Sequence, residues 1–331
     1  MSDFNFTLDP NSTILRYKQL VHAVASAIQS GELKAGDALP SVNSIIKSSS
    51  LSRDTVFKAY AELKDRGVIE SIPNKGYFVA KEQKRVFLFL DTFKAYKEVL
   101  YGAIIKSLPS DYIVDVHFHH YNIDTFETII SNAAGQYSKY VIMNFDHPSV
   151  RTITSQLDSN KLTFIDWDTQ TGHTSNVLNQ DFGVSASQCM QEIKHLFAKY
   201  KAIHCIYPSY TYHPYETVNH IKLFCNQHGL HFEETNDMHQ FKLEANTAYI
   251  VFEDIDLATL LSIAKEKKFV LGEDVGVVSY NETPMKQFIG NGITVISTDF
   301  EKMGTVAASY IVNDVKGRTT IPTTVHIRES L

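Results

Sequence analysis

The chain has 331 residues, more than an ordinary domain of roughly 150, so two or three domains are expected. Hydrophobic residues at 44% and charged residues at 21% describe a globular protein, and no apolar run approaches the roughly 18 residues of a membrane-spanning helix. The net charge of −6 speaks against nucleic acid as a partner of the whole surface, but residues 1–82 hold ten Lys and Arg against nine Asp and Glu while the remainder stands at −7, so any DNA contact belongs to the first part.

From Ser12 to Ser30, the apolar residues Ile14, Tyr17, Val21, Val24, Ala25 and Ile28 recur at helical spacing, with Asn11 or Ser12 as cap and Gly31 as stop. Gly36-Asp37 and Pro40 punctuate a loop, and Ser41 caps a short helix carrying Val42, Ile45 and Ile46. Ser48-Ser49-Ser50 reads as a turn, because serine is a poor helix-interior residue. A third helix opens at Ser52, buries Val56, Ala59, Tyr60 and Leu63, and ends at Gly67. Two β-like runs, 68–72 and 77–79, flank the tight turn Pro73-Asn74-Lys75-Gly76. Three helices and a hairpin spell a winged helix-turn-helix over residues 1–82, followed by a charged linker at 81–85.

Beyond the linker, short apolar runs alternate with helical stretches. Runs at 86–90, 113–118, 140–144, 162–166, 202–207, 249–252 and 275–280 are separated by helices near 95–107, 124–135, 185–199, 215–228 and 257–266. This alternation predicts parallel, doubly wound α/β sheets, and the length of residues 83–331 fits two lobes with a cleft between them. The cysteines Cys189, Cys205 and Cys225 are odd in number and form no Cys-x-x-Cys pair, so reduced, buried thiols are expected. The opening Met1-Ser2-Asp3-Phe4 lacks a basic-plus-apolar leader pattern, which predicts a cytoplasmic protein.

Gly31, Leu33, Gly36-Asp37, Leu39-Pro40-Ser41, Leu51 through Val56, Ala59-Tyr60, Leu63, Gly67, Ile69 and Gly76 through Val79 stand at the spacing of one family. The first domain thus resembles the GntR family of winged-helix bacterial regulators, which implies operator DNA as a partner. The physical reading agrees. Arg53 opens the third helix, where its fork of donors matches a phosphate or a guanine edge. Ser52, Thr55 and the free amides of that first turn suit phosphate oxygens, Lys58 lies one turn on, and Lys75-Gly76 sits at the wing tip. Ser41 and Asn43 begin the second helix, Asn43 standing where many family members carry arginine.

The second domain resembles the periplasmic-binding-protein-like domain of LacI-type repressors. Tyr249 to Phe252 before Asp256-Leu257-Ala258, Glu273 to Glu282, Ile293 through Ala308, and Val325 to Ser330 carry the likeness. The resemblance implies a homodimeric repressor of sugar-catabolism genes, of the arabinose-repressor type, with an effector between the lobes. In a doubly wound fold the ligand lies at the carboxyl ends of the strands. Strand ends here supply Asp91, His119, Asn144, Asp146, Asp166, Trp167, Asp254, Tyr280 and Asn281. A neutral monosaccharide is expected, with carboxylates and amides for its hydroxyls and Trp167 or Tyr280 against its ring. Asn281 matches a family position often held by a sugar-binding aspartate, while Ile255 replaces a usual asparagine. No cofactor, metal site or catalytic group is expected: His117, His119 and His120 split between two strand faces, and no nucleophile elbow, phosphate-binding glycine loop or His-Glu-x-x-His occurs. The rival readings are an enzyme tethered to a winged helix, which a nucleophile–base pair in the cleft would favour, and a protein-binding adaptor, which an apolar, carboxylate-poor cleft would favour.

Overall fold

Serine hydroxyls set the boundaries of two of the first three helices. The computed structural model describes residues 4, 6–73, 75–80, 84–167 and 176–331; Asn74 of the predicted turn and Lys81 to Gln83 of the predicted linker lie outside them. Contacts divide the chain into two units, 1–84 and 85–331.

In the first unit, α1 (Arg16–Gln29), α2 (Val42–Ser49) and α3 (Arg53–Asp65) precede the antiparallel hairpin of β1 (Ile69–Ile72) and β2 (Gly76–Val79). Ser41 accepts from Ser44 N at 3.1 Å and Ser52 from Thr55 N at 3.3 Å, each capping its helix. Two expectations need correction. Helix α1 starts at Arg16, not at Ser12, because Ser12 Oγ accepts from Ile14 N at 3.2 Å and holds a local turn instead. Helix α2 runs on through Ser49: the Ser48 and Ser49 hydroxyls bond back to Ile45 O, and only Ser50, at φ 56°, ends it. Leu20, Val24, Leu33, Ile45, Val56, Tyr60 and Leu63 fill the core. Tyr60 also donates to Pro40 O at 2.7 Å, tying α3 to the loop before α2.

The second unit holds two six-stranded sheets. The first lobe is built from β3 (Lys84–Leu90), α4 (Ala95–Ser107), β4 (Tyr112–Phe118), α5 (Ile123–Ala133), β5 (Lys139–Met143), α6 (Val150–Thr154), β6 (Leu162–Asp166) and β7 (Asn176–Gln180). The chain then enters the second lobe through α7 (Val184–Glu192), α8 (Lys194–Phe197), β8 (Ala202–Ile206), α9 (Glu216–His228), β9 (His231–Thr235), β10 (Thr247–Val251), α10 (Asp254–Lys267), β11 (Val275–Tyr280) and β12 (Thr294–Thr298). It returns through α11 (Phe300–Asn313) and β13 (Arg318–Ile321) to the first lobe and crosses once more into β14 (Thr323–His326). The strand orders are β13-β7-β6-β5-β3-β4 and β14-β12-β11-β10-β8-β9. The ladders between β3, β5, β6, β7 and β13, and between β9, β8, β10, β11 and β12, are parallel, whereas β14 runs antiparallel to β12.

Three connections therefore join the lobes: β7 to α7, β12 to α11 and β13 to β14. Helix α11 packs on α4, where Phe300, Met303, Ala307 and Ile311 meet Leu100 and Ile104. Gly304 permits the close approach: a Cβ there would stand 2.6 Å from both Leu100 O and Ala103 Cβ. The predicted linker residues Lys84 and Arg85 belong to β3, and the predicted helix over 185–199 breaks at Ile193 into α7 and α8. All three cysteines are buried and free.

Candidate functional site

On the first unit, Asn43, Arg53, Lys58, Lys75 and Gly76 are all exposed. The guanidinium of Arg53 lies over Phe57, 5.5 Å from the ring centroid, and Lys58 Nζ sits 4.4 Å from the Tyr17 ring. Gly76 has φ 108°, with nothing within 4 Å of the point a Cβ would occupy, so its backbone is open for close approach. The cap geometry corrects one expectation. The Thr55 amide is bonded to Ser52 Oγ and the two hydroxyls bond each other at 2.7 Å, so this turn offers fewer free donors than its sequence implies.

In the second unit, the carboxyl ends of the strands enclose a narrow cavity between the lobes. It is lined by Lys94, Tyr96, Tyr121, Asn144, Asp166 and Trp167 from the first lobe, by Gln180 and Phe182 from the first crossing, and by Tyr212, His213, Phe252, Glu253 and Asn281 from the second lobe. Of the residues expected from sequence, Asn144, Asp166, Trp167 and Asn281 are brought together here. Asp166 has φ 78° and Asn281 φ 61°, a left-handed region that Asp and Asn tolerate better than other non-glycine residues, and Tyr121 has φ 56°, where a bulky side chain is strained. Such strain clusters where a structure must aim groups at a ligand. Gln180 Nε2 donates to Asp166 in a short hydrogen bond, and desolvation pushes the Asp166 carboxyl above its usual range despite nearby Lys97, Gln180 and Lys94. A carboxylate so poorly solvated is stabilised by further donors.

The relay continues into the connections. Thr298 Oγ1 donates to Gln180 Oε1 at 2.7 Å and stands 3.0 Å from Thr323 Oγ1. Because the single Thr298 proton points at Gln180, Thr323 is the donor in the second bond. Gln180, Thr298 and Thr323 lie one at each crossing, so the cavity carboxylate is wired to all three.

Two contacts span the cleft directly. Tyr121 stacks on Tyr212 with centroids 3.6 Å apart and planes 7° from parallel. Lys94 Nζ reaches both Glu253 oxygens, at 2.9 and 2.8 Å, while Thr211 donates to Glu253 Oε1 at 2.7 Å. Behind Tyr121, whose hydroxyl donates to Asp91, the ring of His119 accepts from Tyr121 N at its Nδ1 and donates from Nε2 to Met143 O, both at 3.1 Å. Burial pushes its pKa down to about 4, and it pushes that of His213 down to about 3, so both rings stay neutral.

Four expected ligand residues are placed elsewhere. Asp91 is buried in an ion pair with Lys97. Asp146 is exposed and is not part of the cavity lining. Asp254 is 58% exposed and pairs with buried Lys286, which also donates to Tyr280 O at 3.0 Å and Asn281 O at 2.7 Å. Tyr280 is buried beneath Phe252, which stacks on it at 5.2 Å. Sequence reading also missed Lys94, Tyr96, Tyr121, Gln180, Tyr212, His213 and Glu253. The strand-end rule could have found Glu253, two residues past the end of β10, and the aromatic loop from Pro208 to Pro214 after β8.

The gntR family of bacterial regulatory proteins matches residues 16–79, and the periplasmic binding protein-like domain matches residues 198–331. The chain joins a GntR-family regulatory domain to a periplasmic-binding-protein-like domain. Among curated relatives of the GntR-family domain, the HTH-type transcriptional repressor YtrA of Bacillus subtilis is 32% identical over 77 residues, covering 23% of this chain and 59% of the relative. The mannosyl-D-glycerate transport/metabolism system repressor MngR of Escherichia coli is 34% identical over 73 residues, covering 22% of this chain and 30% of the relative. The chain thus spans less than two thirds of either. For the periplasmic-binding-protein-like domain, the trehalose repressor of Escherichia coli aligns at TM-score 0.63 and 13% identity over 74% of this chain and 100% of that one. A LacI family regulator from Arthrobacter aligns at TM-score 0.60 and 14% identity over 75% of this chain and 99% of that one. This likeness establishes the two-lobed fold.

Proposed function

We propose that this chain is a cytoplasmic transcription regulator, a repressor of carbohydrate-catabolism genes, whose homodimer binds a two-fold operator and responds to a neutral monosaccharide in the interlobe cavity. The observation that carries the reading is the cavity itself: Asp166 and Asn281, both held in left-handed conformations, share it with Trp167. A sugar requires that combination, acceptors and an amide for hydroxyls and an aromatic face for C–H groups. Structures of similar fold support it: the Arthrobacter regulator in complex with lactose, and a Lac repressor dimer bound to operator and an anti-inducer. Within the cavity Lys94 is paired with Glu253, so its charge is already answered, and the neighbouring Asp166 carboxyl disfavours a phosphorylated ligand.

A hydroxyl bound to Asp166 shifts the Gln180–Thr298–Thr323 relay and so biases the relative setting of the lobes, which is how a cavity ligand reaches the DNA-binding unit. The test is operator binding by the full chain across a panel of monosaccharides and their phosphates. A neutral sugar changing operator affinity supports the reading; indifference to every sugar, or a response to phosphorylated sugars alone, contradicts it.

A further inference from the structure

Helix α3 presents one large apolar side chain that its own unit leaves uncovered. Phe57 is 40% exposed, while its neighbours Val56, Ala59, Tyr60 and Leu63 are fully buried. It stands one helical turn after Arg53, and residues at this spacing share a face. The guanidinium carbon of Arg53, 5.5 Å from the Phe57 centroid, confirms that the two side chains meet. Lys58 is drawn instead toward Tyr17 of α1. The outward face of the helix expected in the major groove is therefore an arginine resting on a phenyl ring, with Asp54 and Lys58 beside it. Among the groups that base edges offer in the major groove, only one is apolar, the 5-methyl of thymine.

We propose that Phe57 is a specificity-determining residue that packs against a thymine methyl in the major groove, while its ring holds the Arg53 guanidinium at the neighbouring base or phosphate. The inference rests on the DNA-binding reading above. The two residues contribute differently. Arg53 releases counterions and so carries salt dependence, whereas Phe57 is uncharged and leaves the salt slope untouched. Burying one methyl-sized group gives about fourfold in affinity, equivalent to roughly 0.8 kcal/mol.

The experiment selects bound sequences from a randomised duplex library with the full chain and with Phe57→Ala and Phe57→Leu. It then replaces each thymine of the selected sequence by deoxyuridine, which removes only the methyl group. Wild type should lose about fourfold at one thymine in each half-site. Phe57→Ala should bind thymine and uracil duplexes alike, with an unchanged slope of affinity against salt, and its selected sequences should lose that thymine. Phe57→Leu should keep part of the preference, because a branched aliphatic group still covers the methyl. The uracil series on the wild-type chain needs no variant to fold. Indifference of the wild type to uracil at every position, or an unchanged thymine preference in Phe57→Ala, overturns the proposal. Failure of the wild type to enrich any sequence would instead overturn the DNA-binding reading on which it rests.

Discussion

In the GntR-family domain the groups proposed to meet DNA lie between Ser41 and Gly76 and are mostly exposed, each set by a local device: a serine cap, a helical turn or a hairpin. In the two-lobed domain the cavity wall is gathered from strand ends as far apart as Lys94 and Asn281, and several of its members are strained, desolvated or bound into relays. Exposed side chains such as Arg53 and Lys75 can be removed with little effect on folding, because they make few contacts beyond their own surface. Cavity residues are coupled to the fold that holds them, so function and stability move together there.

The harshest way to probe that coupling is Gly304→Val. The added side chain meets the Leu100 carbonyl and Ala103 at the α4–α11 contact, and overpacking of this kind costs about 3 kcal/mol. Calorimetry should show the two-lobed domain melting earlier; unchanged melting would mean that this contact yields freely.

Acid gives an effect of similar size. His119 is fully buried and its pKa falls from 6.5 to about 4. Between these values the unfolded chain binds a proton that the folded one refuses, so stability is complete above pH 6.5 and declines as pH falls toward 4. The loss from this ring is on the order of 3 kcal/mol, and His119→Gln should make that part of a denaturant-midpoint against pH curve shallower while the share of His213 remains. A profile identical in the variant would contradict the role given to this ring.

Two smaller changes separate binding from folding. Asn281→Gly keeps the left-handed backbone at no steric cost but removes the amide, so effector affinity should fall by roughly 1–3 kcal/mol while melting is retained. Unaltered calorimetric binding would move the site elsewhere. Arg53→Ala should weaken operator binding by roughly 1–3 kcal/mol and reduce the salt slope by about one, again without a change in melting. The gentlest test is Thr298→Val, which removes the relay hydroxyl at nearly constant shape. Effector affinity should change by about 1 kcal/mol or less, while the effector's influence on operator binding declines. Full retention of that influence would exclude the relay.

The contrast between the domains also governs what the sequence reveals. Local devices leave local signatures, so Ser41, Ser52 and the Gly76 turn are visible in the chain itself. Strands β7, β9 and β13 are not, because Asn176–Gln180, His231–Thr235 and Arg318–Ile321 are short and polar, and β9 lies at a sheet edge. Without β7, Gln180 has no reason to be chosen. In the cavity, Asp166, Trp167 and Asn281 follow from the strand-end rule, yet one residue of register separates Glu253, which lines the cleft, from Asp254, which answers buried Lys286. No spacing rule foresees that a lysine will claim a carboxylate. Tyr121 and Tyr212 meet only because the lobes face each other, a tertiary fact absent from either segment alone.

The central claim is that a ligand in the interlobe cavity controls DNA binding. Trp167 is the only tryptophan and lines that cavity, so its fluorescence reports occupancy while an operator-shift titration on the same sample reports DNA affinity. The account predicts that one neutral monosaccharide changes both signals with the same midpoint in the wild type and changes neither in Asn281→Gly at that concentration. A sugar that shifts operator affinity without perturbing Trp167, or one that perturbs Trp167 while operator affinity stays constant, would contradict it.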